Sequence, residues 1–190
     1  DFISVYSGIL RKMIVDGVNA GPKPLQGMKI IVDAGNGAGG FYVDKVLKPL
    51  GADTEGSRYL NPDGSFPNHI PNPENADAAA AIVEATLKNK ADLGIIFDTD
   101  VDRAACVGAD GEEINRNALI ALATVIALEG NEGGTIVTDS VTSDGLKKFI
   151  EEHLGGKHSR FKRGYKNVID EAIRLNEEGI DCPLAMETSG

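Results

Sequence analysis

Asp98, Asp100 and Asp102 alternate along the run Asp98-Thr99-Asp100-Val101-Asp102-Arg103, directly after the apolar stretch 93–97. That stretch predicts a buried strand. In an extended segment alternate side chains share one side, so the three carboxylates are expected to converge. Converged carboxylates repel one another unless a cation neutralises them. A hard divalent ion such as Mg²⁺, which takes a few carboxylates plus a phosphate oxygen, suits such a group. Arg103 beside the trio offers a planar fork that matches a phosphate. The alternative is a solvated acidic turn, yet the trio stands at the carboxyl end of a strand, where open α/β sheets bind ligands. An EF-hand loop is excluded: its sixth and twelfth positions require Gly and Glu, and here they are Arg103 and Ala109.

Three further motifs invite chemistry. Gly35-x-Gly37-x-x-Gly40 follows a predicted strand and precedes a predicted helix, with Asp53 and Glu55 further on. That spacing fits a dinucleotide fingerprint and an NAD(P)-dependent oxidoreductase. It equally fits a tight turn that packs strand against helix, which is the expectation here because a nicotinamide enzyme leaves the aspartates unexplained. Arg163-Gly164-Tyr165-Lys166 is a basic turn opening a helix, either an anion grip through backbone amides and Lys166 or a solvated helix start. Glu187 and Ser189, two apart in Met186-Glu187-Thr188-Ser189-Gly190, can accept from and donate to sugar hydroxyls, or form an ordinary polar loop. A haloacid-dehalogenase-type phosphatase also sets an aspartate pair after a strand, as Asp98 and Asp100 do. That family, however, expects Thr or Val where Asp102 stands. His69, His153 and His158 lack a partner at suggestive spacing and are expected on the surface or in turns.

The elements that must carry these residues alternate in type. Helical spacing marks residues 2–16, 41–50, 76–88, 118–128, 143–153 (capped by Ser143) and 167–175. In the helix at 76–88 Ala80, Ile82, Val83 and Leu87 are expected to face inward. Short apolar runs predict strands at 28–32, 93–97, 104–108, 135–138 and 183–186, and residues 57–75 read as a long irregular connection. This is an α/β pattern with a largely parallel sheet, and it restarts near residue 116. The 190 residues suffice for one large or two small domains, and the composition is that of a globular protein. A net charge of −10 and 5% aromatic residues argue against a nucleic-acid partner. No apolar stretch reaches the ~20 residues that span a membrane. Cys106 and Cys182 are expected as buried, reduced thiols. The chain opens on Asp1-Phe2-Ile3 without a signal-peptide pattern, so a cytoplasmic protein, or a piece cut from one, is expected.

Taken in order, the motifs resemble those of the α-D-phosphohexomutases, the phosphoglucomutase and phosphomannomutase family. Asp98–Arg103 resembles its magnesium loop, Asp-Gly-Asp-x-Asp-Arg, with Thr99 in place of Gly. Residues 164–166 resemble its Gly-Tyr-Lys segment, and Glu187-x-Ser189-Gly190 its sugar loop, with Met186 in place of the preceding Gly. Phe66-Pro67-Asn68 and Pro71-Asn72-Pro73 resemble a stretch upstream of the metal loop. The resemblance implies two tandem three-layer α/β/α domains with mixed, largely parallel sheets. Residues 1–115 would match the family's second domain and 116–190 most of its third. It further implies Mg²⁺ held by Asp98, Asp100 and Asp102, support from Arg103, and a hexose phosphate bound by Lys166, Glu187 and Ser189. The phosphoserine that relays the phosphoryl group, and the remaining domains of a parent chain, would lie outside these residues. The fragment alone is then expected to be inactive.

Overall fold

The computed structural model describes residues 1–189 and divides the chain into two compact units, Asp1–Ile114 and Asn115–Gly190. In the first, β1 (Ile30–Asp33), β2 (Leu93–Phe97) and β3 (Ala104–Gly108) form a sheet in that order. β1 and β2 are parallel, and β2 and β3 antiparallel. Alternation along the strands sorts the core onto two faces. Ile31, Ile96, Ala105 and Val107 pack against Ala78, Ile82 and Ala85 of helix α2 (Ala76–Asn89). Ile30, Val32 and Phe97 pack on the opposite face against Val43 and Leu47. Helices thus cover both faces of a mixed sheet. Helix α1 (Phe2–Val18) precedes the sheet, and Asn75 caps α2 by accepting from the Asp77 and Ala78 amides.

Four local expectations for this unit change. The predicted helix at 41–50 is instead a 3₁₀ turn at Ala38–Gly40 followed by a π-helical turn at Val43–Leu47, closed by Lys48 N donating to Val43 O at 3.0 Å. The buried face of α2 is Ala78, Ile82, Ala85 and Thr86, while Ala80 and Leu87 are exposed. The stripe is rotated because Gly94 of β2 admits the helix closely: a Cβ there would lie 2.1 Å from Thr86 Oγ1. Residues 53–58 do not merely connect; they bridge in parallel to the outer edge of β1 at Lys29↔Asp53 and Asp33↔Arg58. Cys106 is only half-buried.

The second unit carries a parallel sheet in the order β5-β4-β6. Its strands are β4 (Thr135–Asp139), β5 (Lys157–Phe161) and β6 (Leu184–Met186). Here too adjacent residues serve opposite faces. Ile136 joins Ile120 and Leu128 of α3 (Arg116–Leu128), Leu146 of α4 (Asp144–Lys148) and Ile150. Val137 joins Val168, Ala172 and Leu175 of α5 (Tyr165–Glu177), together with Cys182. Ser143 caps α4 as expected, its hydroxyl accepting from the Leu146 amide, but residues 149–153 continue as a π-helical turn. Strand β5 is not foreseen in the sequence. No helix among the described residues is long and apolar enough to cross a membrane.

Candidate functional site

Phe97 pairs with Ala104 across the antiparallel β2–β3 ladder, so Asp98–Arg103 is a hairpin loop rather than the extended segment expected from the alternation. Asp98 organises it. Its side chain is almost fully buried, and Oδ1 accepts from the amides of Val101 at 3.0 Å and Arg103 at 3.1 Å. Oδ2 accepts from Arg103 Nε at 3.0 Å, and the Asp98 amide donates to the Arg103 carbonyl. Val101 adopts φ 72°, a conformation that β-branched residues rarely hold and that concentrates at functional sites.

Within this turn one carboxylate oxygen each of Asp98, Asp100 and Asp102 lies within 4.8 Å of the others. The trio therefore converges, by a different route from the one expected. Burial works to push the Asp98 carboxyl up, but donors from the Arg103 backbone, Asp102 and the Arg103 guanidinium outweigh it and hold the group below its ordinary value. Asp102 moves the other way: its contact with Asp98, then burial, then the charges of Asp98 and Asp100 raise it. Three hard oxygens in mutual repulsion are what a divalent cation relieves, so the donor set fits Mg²⁺. Arg103 braces Asp98 and sits 3.7 Å from Asp102, a structural duty besides any contact with phosphate.

The glycine turn makes room for the chain itself. A Cβ at Gly39 would strike the Phe97 ring at 2.7 Å, and one at Gly40 would strike the Leu60 carbonyl oxygen at 1.9 Å. The turn is tied to the end of β1 by Asp33, whose Oδ1 accepts from the Gly35 amide at 2.9 Å. Fully buried Asp33 also pairs with Arg58 Nε at 3.1 Å and with His69 Nε2 at 3.0 Å. The surface expectation for His69 is thereby corrected, since its ring is buried against Asp33. His158 is likewise half-buried, with Nε2 2.7 Å from Thr138 Oγ1, whereas His153 is exposed.

In the second unit, Glu187 is buried and both its oxygens are engaged. Oε1 accepts from the Gly164 amide and Oε2 from Ser189 Oγ at 3.0 Å. The expected Gly-Tyr-Lys and Glu-x-Ser motifs therefore meet through Gly164 and Glu187. Lys166 itself stands exposed on the first turn of α5 and pairs with Asp170. Two residues that sequence reasoning passed over fix the loop. Fully buried Asp139, ending β4, accepts at Oδ2 from Thr188 Oγ1 at 2.7 Å and from the Thr188 amide at 3.3 Å. Arg116 Nη1 donates to the Thr188 carbonyl at 3.1 Å. Asp33 and Asp139 share a signal, an acid that ends a short, fully buried strand. Gly190 lies outside the described residues.

Comparison with known proteins decides the family. The model of phosphoglucomutase/phosphomannomutase α/β/α domain II matches residues 10–111, and that of domain III matches residues 115–190. The chain belongs to the phosphoglucomutase/phosphomannomutase family. A phosphomannomutase/phosphoglucomutase of Pseudomonas syringae pv. tomato is 32% identical over 163 residues, 86% of this chain and 34% of that protein. A phosphoglucomutase of Neisseria meningitidis is 34% identical over 141 residues, 74% of this chain and 30% of that protein. The crystal structure of a phosphoglucomutase/phosphomannomutase family protein from Burkholderia thailandensis superposes with a TM-score of 0.78 at 30% identity, covering 95% of this chain and 38% of the other. The chain thus spans about a third of the length of these relatives. The tandem α/β fold with mixed and parallel sheets agrees with the family, and neither the oxidoreductase nor the phosphatase alternative gains support.

Proposed function

We propose that this chain is part of a phosphohexomutase that interconverts the 1- and 6-phosphates of a hexose, glucose or mannose, through a phosphoserine and a bisphosphorylated sugar. The observation that carries this reading is the convergence of the Asp98, Asp100 and Asp102 oxygens in a hairpin braced by Arg103, in a chain of this family. Residues 1–115 supply the metal loop and residues 116–190 the sugar loop. When bound, Mg²⁺ would neutralise charge on a phosphoryl group in transfer, the main demand of such chemistry. Asp98 fixes the loop's shape while Asp100 and Asp102, both exposed, present their oxygens. Glu187, held by Gly164, and Ser189 would read sugar hydroxyls, and Lys166 would exchange Asp170 for a substrate oxygen.

Calorimetric titration of the chain with Mg²⁺ tests the metal assignment. Saturable binding that Asp100→Asn weakens is expected, and an unchanged curve would refute the site. In a parent enzyme carrying the remaining domains, Asp98→Ala should abolish conversion of glucose 1-phosphate to glucose 6-phosphate.

A further inference from the structure

Gly37 does not owe its place to backbone freedom. Its φ of −84° and ψ of −161° are open to any residue. What forbids a side chain is proximity: a Cβ on Gly37 would lie 2.7 Å from the Thr99 carbonyl oxygen, 3.0 Å from Thr99 Cα and 3.2 Å from the Ala34 carbonyl oxygen. All three are backbone atoms, so no side-chain rotation relieves the contact. The next residue fixes the same point from the other direction, since the Ala38 amide donates to the Thr99 carbonyl at 2.9 Å. Thr99 lies between the metal-ligand candidates Asp98 and Asp100.

The turn is anchored independently of the acidic loop. Gly35 N donates to Asp33 Oδ1, Asn36 N donates to the Tyr59 carbonyl at 2.8 Å, and Gly37 N donates to the Ala34 carbonyl at 2.7 Å. Asp33 in turn is pinned by Arg58 and His69. A rigid piece thus abuts a strained one, for Val101 carries a left-handed φ two residues after Thr99.

We infer that the Gly35–Gly40 turn is the positioning element of the acidic loop, with Gly37 setting how close Thr99 can come and the Ala38 amide holding it there. This rests on the metal reading proposed above. Gly37 and Ala38 contribute no carboxylate to the trio; they act through Thr99 on the spacing of the Asp98 and Asp100 oxygens.

The test is Mn²⁺ affinity of this chain, read by electron paramagnetic resonance, with thermal midpoints and far-UV circular dichroism alongside. Groups that orient ligands from behind typically change metal affinity by about 10- to 100-fold, and a loss of at least about tenfold is expected for Gly37→Ala. Gly64→Ala, where a Cβ meets nothing within 4 Å, should bind as the unaltered chain does. Unaltered Mn²⁺ affinity in a folded Gly37→Ala chain would overturn the inference while leaving the metal site intact. No Mn²⁺ binding by the unaltered chain would remove the metal reading and this inference with it. Should Gly37→Ala fail to fold, Mg²⁺ titration of the unaltered chain followed by amide NMR decides. The Ala38 resonance is expected to move with the same midpoint as those of Val101 and Arg103, and an unmoved Ala38 would overturn the coupling.

Discussion

Asp102 bears the electrostatic cost of bringing three carboxylates together. Its contact with Asp98, burial, and the nearby charges raise its carboxyl above the ordinary value, so folding makes its ionised form less favourable. Removing that charge should relieve the fold while damaging the site. Asp102→Asn is expected to stabilise the fold by a few tenths of a kcal/mol at most, seen as a slightly raised thermal midpoint, because the side chain is 61% exposed and screened. It should also weaken Mg²⁺ binding. A lowered midpoint would show that the carboxylate is a structural group. Asp98→Asn should instead destabilise the fold, because its amide group would turn a donor toward Arg103 Nε. A loss of about 2 kcal/mol, typical of a hydrogen bond to a charged group, is expected in urea denaturation. The aspartates were legible in the sequence because their spacing is unusual after an apolar strand. Their support was not. Asp33 joins Arg58 and His69, 25 and 36 positions away, and spacing rules see only near neighbours.

At the scale of elements, the alternation of buried strands and helices was readable because apolar runs and helical stripes have distinct periods. Strand β5 escaped because Lys-His-Ser-Arg-Phe lacks an apolar run; it is an edge strand whose charged residues, Lys157 and Arg160, are exposed. The inward face of α2 was misjudged because it is set by Gly94 on the facing strand. Gly94→Ala would drive a methyl into Thr86 and Ile82, and overpacking of this kind costs about 1–3 kcal/mol. A denaturation midpoint within error of the unaltered chain would contradict that packing. β5 also contributes a pH response. His158 is pushed below its ordinary value, chiefly by burial and then by Arg160 and Lys147, with Glu151 opposing. The unfolded chain therefore takes up a proton at His158 more readily than the folded one, so stability is full above about pH 6.5 and falls as pH drops below it. The test compares thermal midpoints at pH 7.5 and 5.5. The drop should be smaller in His158→Gln than in the unaltered chain, and equal drops would assign the response to other groups.

At the scale of the whole molecule, two tandem units each place a buried aspartate at the end of a fully buried strand and use it to secure a loop. Asp33 secures the turn that abuts the acidic loop, and Asp139 secures the loop bearing Glu187 and Ser189. Both loops are thus held in shape by the fold itself, and if they take the ligands proposed above, such positioning lowers the cost of a reaction. Positioning alone does not transfer a phosphoryl group. The mutase reaction proposed here needs a residue that accepts the group from one sugar oxygen and returns it to another, and the roles proposed above for the residues of this chain, metal binding and sugar recognition, do not include that relay. The chain matches about a third of the length of its relatives. The 190-residue chain is therefore expected to bind Mg²⁺ without converting glucose 1-phosphate to glucose 6-phosphate, even with glucose 1,6-bisphosphate present. Well-oriented reacting groups gain effective molarities of about 10⁵ M or more, so a chain without the relay residue should show turnover below detection rather than merely slow turnover. A coupled assay of the purified chain checks this. Robust turnover that disappears in Asp98→Ala would place the relay inside these residues and overturn the division of labour proposed for them.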